Sequence, residues 1–274
     1  MEHSVTWLIG MAAAMMATGL VSGVLAGLLG VGGGIVIVPV LSYVLPLLGV
    51  PEATQMKVAV ATSLATIIPT SIISARKHFA KGTMDVPLLK SMAVPMLVGV
   101  LVGTVLAIYL RGPALSLVFA TIALLVALNM GFTGTDFKIR DSMPTGAPRA
   151  GIAASIGAFS TMMGIGGGTV GVPIMTMFGA PIRAAVSTAS AFGLIISVPA
   201  TIGLIFAGIG AEGRPPYSLG WVNLIGFALI VPSSIIATPW GVTLAHTIPP
   251  LWLKRAFAIF LAVTSIRMFY KLFV

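Results

Sequence analysis

The run Gly27-Leu28-Leu29-Gly30-Val31-Gly32-Gly33-Gly34-Ile35-Val36-Ile37-Val38-Pro39 decides how the rest of the chain is read. Glycine inside a helix costs about 1 kcal/mol relative to alanine, so three adjacent glycines interrupt one. Yet apolar sequence continues on both sides, over 5–29 before the break and 34–48 after it. Irregular backbone at membrane depth is tolerated only where protein buries it or where it lines a cavity. The same device returns as Gly164-Ile165-Gly166-Gly167-Gly168 followed by Pro173, each residue 134 positions after its counterpart.

Two further correspondences follow in the same order. Lys57-Val58-Ala59-Val60-Ala61-Thr62 aligns with Arg183-Ala184-Ala185-Val186-Ser187-Thr188. Gly103-Thr104-Val105-Leu106-Ala107 aligns with Gly241-Val242-Thr243-Leu244-Ala245, and Phe119 and Phe257 follow. One glycine motif recurs by chance; three matches in one order indicate a duplicated half. The expected organisation is a first transmembrane repeat over 1–131, a linker over 132–149 and a second repeat over 150–274. The linker is the long polar stretch, with Asp136, Lys138, Arg140, Asp141, Pro144 and Pro148.

Hydrophobic residues make up 58% of the 274, charged residues 8%, and mean hydropathy is +1.10. A soluble domain carries about a quarter charged residues, so the solvent here is mostly the lipid bilayer. Ten apolar segments lie near 5–29, 34–48, 58–75, 86–110, 114–131, 150–164, 168–180, 184–208, 219–246 and 251–271. They are continuous, without the alternation of barrel strands, and therefore read as helices. The fold class expected is all-α: a polytopic helical membrane protein of two five-segment inverted repeats with glycine-broken helices. Trp7, Tyr109, Tyr217, Trp221, Trp252 and Tyr270 fall near segment ends, as interfacial anchors do.

Loop charge supports the inversion. Arg76, Lys77 and Lys81 in the first half face only Arg214 in the second, whereas Arg111 alone faces Lys254 and Arg255. The basic excess changes sides between the halves. Five crossings per half put both termini outside the cytoplasm. Four per half, with 34–48 and 168–180 continuing broken helices, put them inside; loops 76–85 and 132–149 are cytoplasmic either way. No Lys or Arg precedes Lys57, so the first helix is expected to be retained and not cleaved as a signal peptide.

Several function classes are excluded. The chain has no Cys, and His3, His78 and His246 lack metal-ligand spacing, so no metal or cofactor is expected. The net charge of +9 comes without a basic run longer than two residues, which points to cationic loops and away from nucleic acid. Glu2, Glu52, Asp85, Asp136, Asp141 and Glu212 all lie in expected loops or termini. No mid-membrane carboxylate is available to couple protons or sodium, and no catalytic constellation suggests an enzyme. A neutral or anionic substrate, moved by its own gradient and the membrane potential, fits these absences.

The candidate site follows from the breaks. A short helix begins after each, presenting free N–H groups and a positive dipole end, an arrangement that binds anions. That selects Gly32, Gly33, Gly34, Gly166, Gly167 and Gly168; the competing explanation is close packing, which suffices for Gly19, Gly23, Gly27, Gly99 and Gly103. Hydroxyls recur at Thr62, Thr66, Thr70 and Ser74, and at Ser187, Ser190, Ser197 and Thr201. They either donate to an oxyanion or bond back to their own helix. The symmetry is imperfect, since Thr66 corresponds to Phe192. Lys57 and Arg183 occupy equivalent positions, either as entrance cations or as side chains snorkelling to the interface.

The run from Gly27 to Pro39, followed by Ala61-Thr62-Ser63 and the second copy from Gly164 to Pro173, resembles the signature of the TauE/SafE sulfite exporter family. The resemblance covers about residues 8 to 270. It implies export of sulfite or a related organosulfonate, although an importer of a sulfur compound and a non-transporting scaffold are the alternatives. Carried over residue by residue, it places Gly32, Gly33, Gly34, Thr62, Ser63, Gly166, Gly167, Gly168 and Thr188 near substrate. The second half departs from the pattern at Ala189, with Ser190 one position later.

Overall fold

A computed structural model describes residues 5–132 and 138–273. Glu2 and His3, and Asp136 of the expected linker, lie outside the described residues. The first half contains α1 (Val5–Leu29), α2 (Gly34–Leu47), α3 (Glu52–Ala80), α4 (Val86–Tyr109) and α5 (Gly112–Phe132). The second contains α6 (Ala147–Met163), α7 (Gly168–Met177), α8 (Ile182–Gly208), α9 (Leu224–Thr247) and α10 (Pro250–Phe273). A two-residue hairpin, β1 (Ser218–Leu219) and β2 (Val222–Asn223), precedes α9. Among the described residues, six helices are long and apolar enough to cross a membrane. α2 and α7 are not: at 1.5 Å per residue, their 14 and 10 residues rise about 21 and 15 Å, against a ~30 Å hydrocarbon core. Segments 34–48 and 168–180 therefore do not make full crossings.

The main pairings are α1 with α9, α4 with α6, α5 with α10 and α3 with α8. Exchanging the halves converts α1–α9 into α6–α4, and returns α5–α10 and α3–α8 to themselves. Close approach sets the first two pairs. A Cβ at Gly19 would meet Ile230 O, at Gly23 Ser234 O and at Gly27 Thr238 O, while one at Gly241 would meet Val24 O. In the other pair, Gly99 abuts Ala154 and Gly103 abuts Ala158. Numbers rise together in both, so the paired helices run parallel. The equivalent helices run in opposite directions: Ser71 lies against Gly193 but His78 against Ser187. Likewise Ala120 accepts from Ser265 while Gly131 faces Ala258.

The glycine breaks reverse the chain. As α1 advances it meets α9 ever nearer that helix's end, at Thr238 and Val242, whereas Leu41 of α2 is back beside Gly226 at its start. α7 likewise returns toward the start of α4, where Met175 shares a cleft with Asp85 and Leu88. Only a positive φ permits the turn at Gly33 (80°) and Gly164 (67°), a region that disfavours any side chain.

Hydrogen bonds define the two ends. At one, Thr83 contacts Ser187, Arg149 donates to Ser91, and Ile139 N donates to Met177 O, gathering the α3–α4 turn, the linker and the α7–α8 turn. At the other, Thr54 donates to Gly213 O. α3 is the central element: 72% of its most apolar stretch is buried, against 28% for α1. It runs beyond the expected 58–75 at both ends, so that Lys57, Arg76, Lys77 and His78 are helical. Tyr109, Tyr217, Trp252 and Tyr270 are exposed, whereas Trp221 is 6% exposed and packs inside behind the hairpin. Its backbone N–H reaches Leu204 O, which draws it in.

Candidate functional site

The two breaks meet each other at the centre of the bundle. Gly166 N donates to Val31 O at 2.9 Å. A Cβ at Gly34 would meet Gly164 O, and one at Gly168 would meet Gly30 O. Gly32, Gly33, Gly34, Gly166, Gly167 and Gly168 are all buried. At Gly34, Gly166 and Gly168 this smallness serves backbone contact between the halves, whereas a Cβ at Gly32, Gly33 or Gly167 would meet Ile67, Ser22 or Phe192 of its own half. Neither α2 nor α7 has a side-chain cap at its N-terminus.

The predicted hydroxyls divide by their partners. Thr62 accepts from Asn223 N at 2.9 Å, and Thr188 accepts from Asp85 N at 3.0 Å. These two are equivalent, and so are their targets: Asn223 and Asp85 are the N-caps of α9 and α4 and accept from Gly226 N and Leu88 N. Ser63 donates across the junction to Gly164 O at 2.6 Å. Thr66 and Ser190 bond back to Ser63 O and Ser187 O in their own helices. Thr70 reaches Gly32 O and Ser74 reaches Ala26 O, tying down the end of α1.

The second break is less tied. Ser160 and Thr161 in the last turn of α6 and Thr169 in the first turn of α7 are fully buried, with hydroxyls that have no partner among the described residues. Ser197 and Thr201 of α8 share this state. In the first half, Ala26, Gly27 and Ile35 occupy the positions equivalent to Ser160, Thr161 and Thr169. Sequence reading passed over the three hydroxyls because each sits singly beside the glycine run and not on a repeating stripe.

The equivalent cations differ in surroundings. Lys57 Nζ donates to Ile108 O at 2.6 Å, near the C-terminal end of α4, and lies 5.7 Å from the centre of the Trp221 ring. Arg183 is exposed beside His78 and His246. His78 was not marked by ligand spacing, yet it continues the four-residue series Thr62, Thr66, Thr70, Ser74 by one step. It is 1% exposed, with Nε2 2.9 Å from Gly27 O and Nδ1 3.2 Å from Ser187 Oγ. Since a carbonyl only accepts, Nε2 carries a proton and donates. Among the described residues no group of three or more metal-ligating side chains is present.

A sequence model of the family described as "Sulfite exporter TauE/SafE" matches residues 15–268. A "Probable membrane transporter protein" of Haemophilus influenzae is 32% identical over 255 residues, covering 92% of this chain and 96% of the relative. A protein of the same description from Methanocaldococcus jannaschii is 27% identical over 256 residues, covering 93% and 94%. The Bacillus subtilis "Probable membrane transporter protein YunE" is 26% identical over 215 residues, covering 71% and 78%. No solved structure matches. These relatives and the six apolar spans make the chain a multi-pass protein of the cell membrane.

Proposed function

Because the chain belongs to the TauE/SafE sulfite exporter family, we propose that it moves a small sulfur oxyanion, sulfite or a related organosulfonate, out of the cytoplasm across the inner membrane. The observation that carries this reading is the backbone contact between the two glycine breaks, Gly166 N to Val31 O. Paired helix breaks at matching positions in two halves are where carriers of inverted-repeat design bind substrate. The antiparallel crossing of α3 with α8 and of α5 with α10 supports that design. The linker end is cytoplasmic, and the start of α1 and the end of α10 lie opposite, with each glycine break turning its chain back within the bundle.

The substrate site is the junction lined by Gly32, Gly33, Gly34, Gly166, Gly167 and Gly168, closed in this conformation. Thr62, Ser63, Thr66, Thr188 and Ser190 hold the surrounding helices in register. Ser160, Thr161 and Thr169 supply donors not already engaged, beside the N-terminus of α7. Hydroxyls and backbone N–H groups stabilise an oxyanion without a counter-charge that would hold it too tightly for release. The described acidic residues Glu52, Asp85, Asp141 and Glu212 lie at helix starts or in turns. Outward movement then uses the inside-negative potential, about 2.3 kcal/mol per charge per 100 mV. The chain acts as a carrier and not as an enzyme. The test is sulfite efflux from proteoliposomes under a valinomycin-set potassium potential. Efflux accelerates when the sulfite side is negative and is unchanged when choline replaces sodium. Voltage-independent efflux that follows a pH gradient, or movement only inward, refutes the proposal.

A further inference from the structure

The half-helix α2 and the closing helix α10 flank an open groove whose chemistry differs from that of its counterpart in the second half. We propose that this groove binds one anionic phospholipid, with the phosphodiester on Arg267 and one acyl chain laid along α2. The site is independent of which substrate the protein carries and of the direction of transport.

Val36, Val40 and Val44 follow one face of α2 and form one wall; Phe260 and Val263 of α10 form the other. The space between them measures about 290 Å³. From Val36 to Val44 it runs about 12 Å at 1.5 Å per residue, close to the ~15 Å hydrocarbon depth of one leaflet. Its deep end begins just after the break at Gly33, and its other end opens at Tyr43 and Arg267. Tyr43 and Val263 are exposed, so the groove faces lipid sideways. α10 runs away from the linker, since Ala258 faces Gly131 and Ser265 donates to Ala120 O. Arg267, near the end of α10, therefore stands toward the membrane interface opposite the linker. It is exposed, with Cζ 4.9 Å from the Tyr43 ring centre and Nη2 3.5 Å from the Tyr43 hydroxyl. Among the described residues no carboxylate pairs with it. Stacking on the ring uses the face of the guanidinium and leaves its edge donors for a phosphate, which they bind in pairs.

The apolar walls alone select nothing, because a lipid tail gains little there that it lacks among other tails. Preference comes from the head group. One cation complements one phosphodiester, whereas the ammonium of phosphatidylethanolamine offsets part of that attraction. The second half supplies the contrast. The correspondences Gly33–Gly167 and Phe119–Phe257 carry Tyr43 onto Met177 and Arg267 onto Asn129. Asn129 Nδ2 reaches Met177 Sδ at 3.6 Å, so the equivalent pair is also in contact, but it is neutral. The same helix pairing thus carries a cation in one half only, and one lipid per chain follows.

The experiment titrates the full-length protein in detergent with palmitoyl-oleoyl phosphatidylglycerol, or with phosphatidylethanolamine of the same chains. Native mass spectrometry reads bound lipid and oligomeric state together. One phosphatidylglycerol per chain is expected to bind about fivefold more tightly than phosphatidylethanolamine. Arg267→Gln is expected to erase that preference. Arg111→Gln, at another exposed arginine of the same end, is expected to leave it intact. Val263→Trp fills the groove from its exposed side and is expected to weaken retention of both lipids. Equal affinity for the two lipids, a preference that survives Arg267→Gln, a preference lost equally in Arg111→Gln, or binding untouched by Val263→Trp overturns the proposal. So does a dimer that retains no lipid and that Val263→Trp splits, because the groove then seats a second copy of the chain.

Discussion

Replacing Thr62 by Val separates a structural hydroxyl from a substrate-binding one. The two side chains have nearly the same shape, so the change removes one oxygen and little else. Thr62 is fully buried, and its oxygen is the acceptor for Asn223 N at 2.9 Å, at the point where α9 begins. Without it a buried N–H is left unsatisfied, a loss of about 1–3 kcal/mol. Scaled to a chain of this size, that lowers the unfolding midpoint by about 2–10 °C. The equivalent Thr188→Val is milder, because its partner Asp85 is exposed and water replaces the lost acceptor; the expected change is about 2 °C or less. Thr62→Ser keeps the acceptor and stays close to the unmodified protein. The assay is fluorescence-detected size exclusion of heated detergent samples, paired with sulfite efflux from proteoliposomes. A Thr62→Val protein that melts normally but loses sulfite affinity, or equal losses in Val and Ser variants, refutes the assignment of this oxygen to the fold.

Gly34→Ala is expected to destabilise the protein by about 1–3 kcal/mol and to depress transport, since the added methyl group meets Gly164 O and lies 2.7 Å from Ser63 Oγ. Gly10→Ala, with nothing within 4 Å, is expected to be neutral or to gain up to about 1 kcal/mol; both are read by the same melting assay. Thr169→Val is expected to leave the melting point unchanged while raising the apparent KM for sulfite about fivefold, the worth of one hydrogen bond to substrate. The chain has no cysteine, so single cysteines report sidedness. A membrane-impermeant maleimide applied to intact cells is expected to label Glu212→Cys and to spare Thr145→Cys until the membrane is opened.

The glycine runs and their constant spacing of 134 were legible in the sequence because a helix break inside apolar sequence has few explanations. Hydropathy could not tell that residues 34–48 and 168–180 stop short of crossing. A buried half-helix and a spanning one are equally apolar, and only length and the reversal at Gly33 and Gly164 separate them. The equivalence of Lys57 and Arg183 was visible, but not their difference, which depends on Ile108 O and Trp221 folding onto one and not the other. Trp221 misled because a tryptophan at the end of an apolar run resembles an anchor, and nothing local reveals that the hairpin before α9 tucks it in. His78 was legible only as a continuation of the hydroxyl spacing on α3, since its partners Gly27 and Ser187 come from distant segments.

The pairing of α1 with α9 also dictates a schedule for biosynthesis. Ser22 and Ser234, which touch across this seam at 3.0 Å, are separated by 212 positions. At the usual pace of translation, about 5–20 residues per second, α1 waits roughly 10–40 s after insertion before its partner exists. Throughout that interval the seam of Gly19, Gly23 and Gly27 faces lipid or the insertion machinery. α4 has no such delay, because α6 follows it after one intervening helix. The first half is thus committed to the bilayer with its inter-half faces open, and among them the face of α1 waits longest for its partner. Separately expressed halves should assemble only while both are newly made, before the exposed seam of the first finds a partner in another copy of itself.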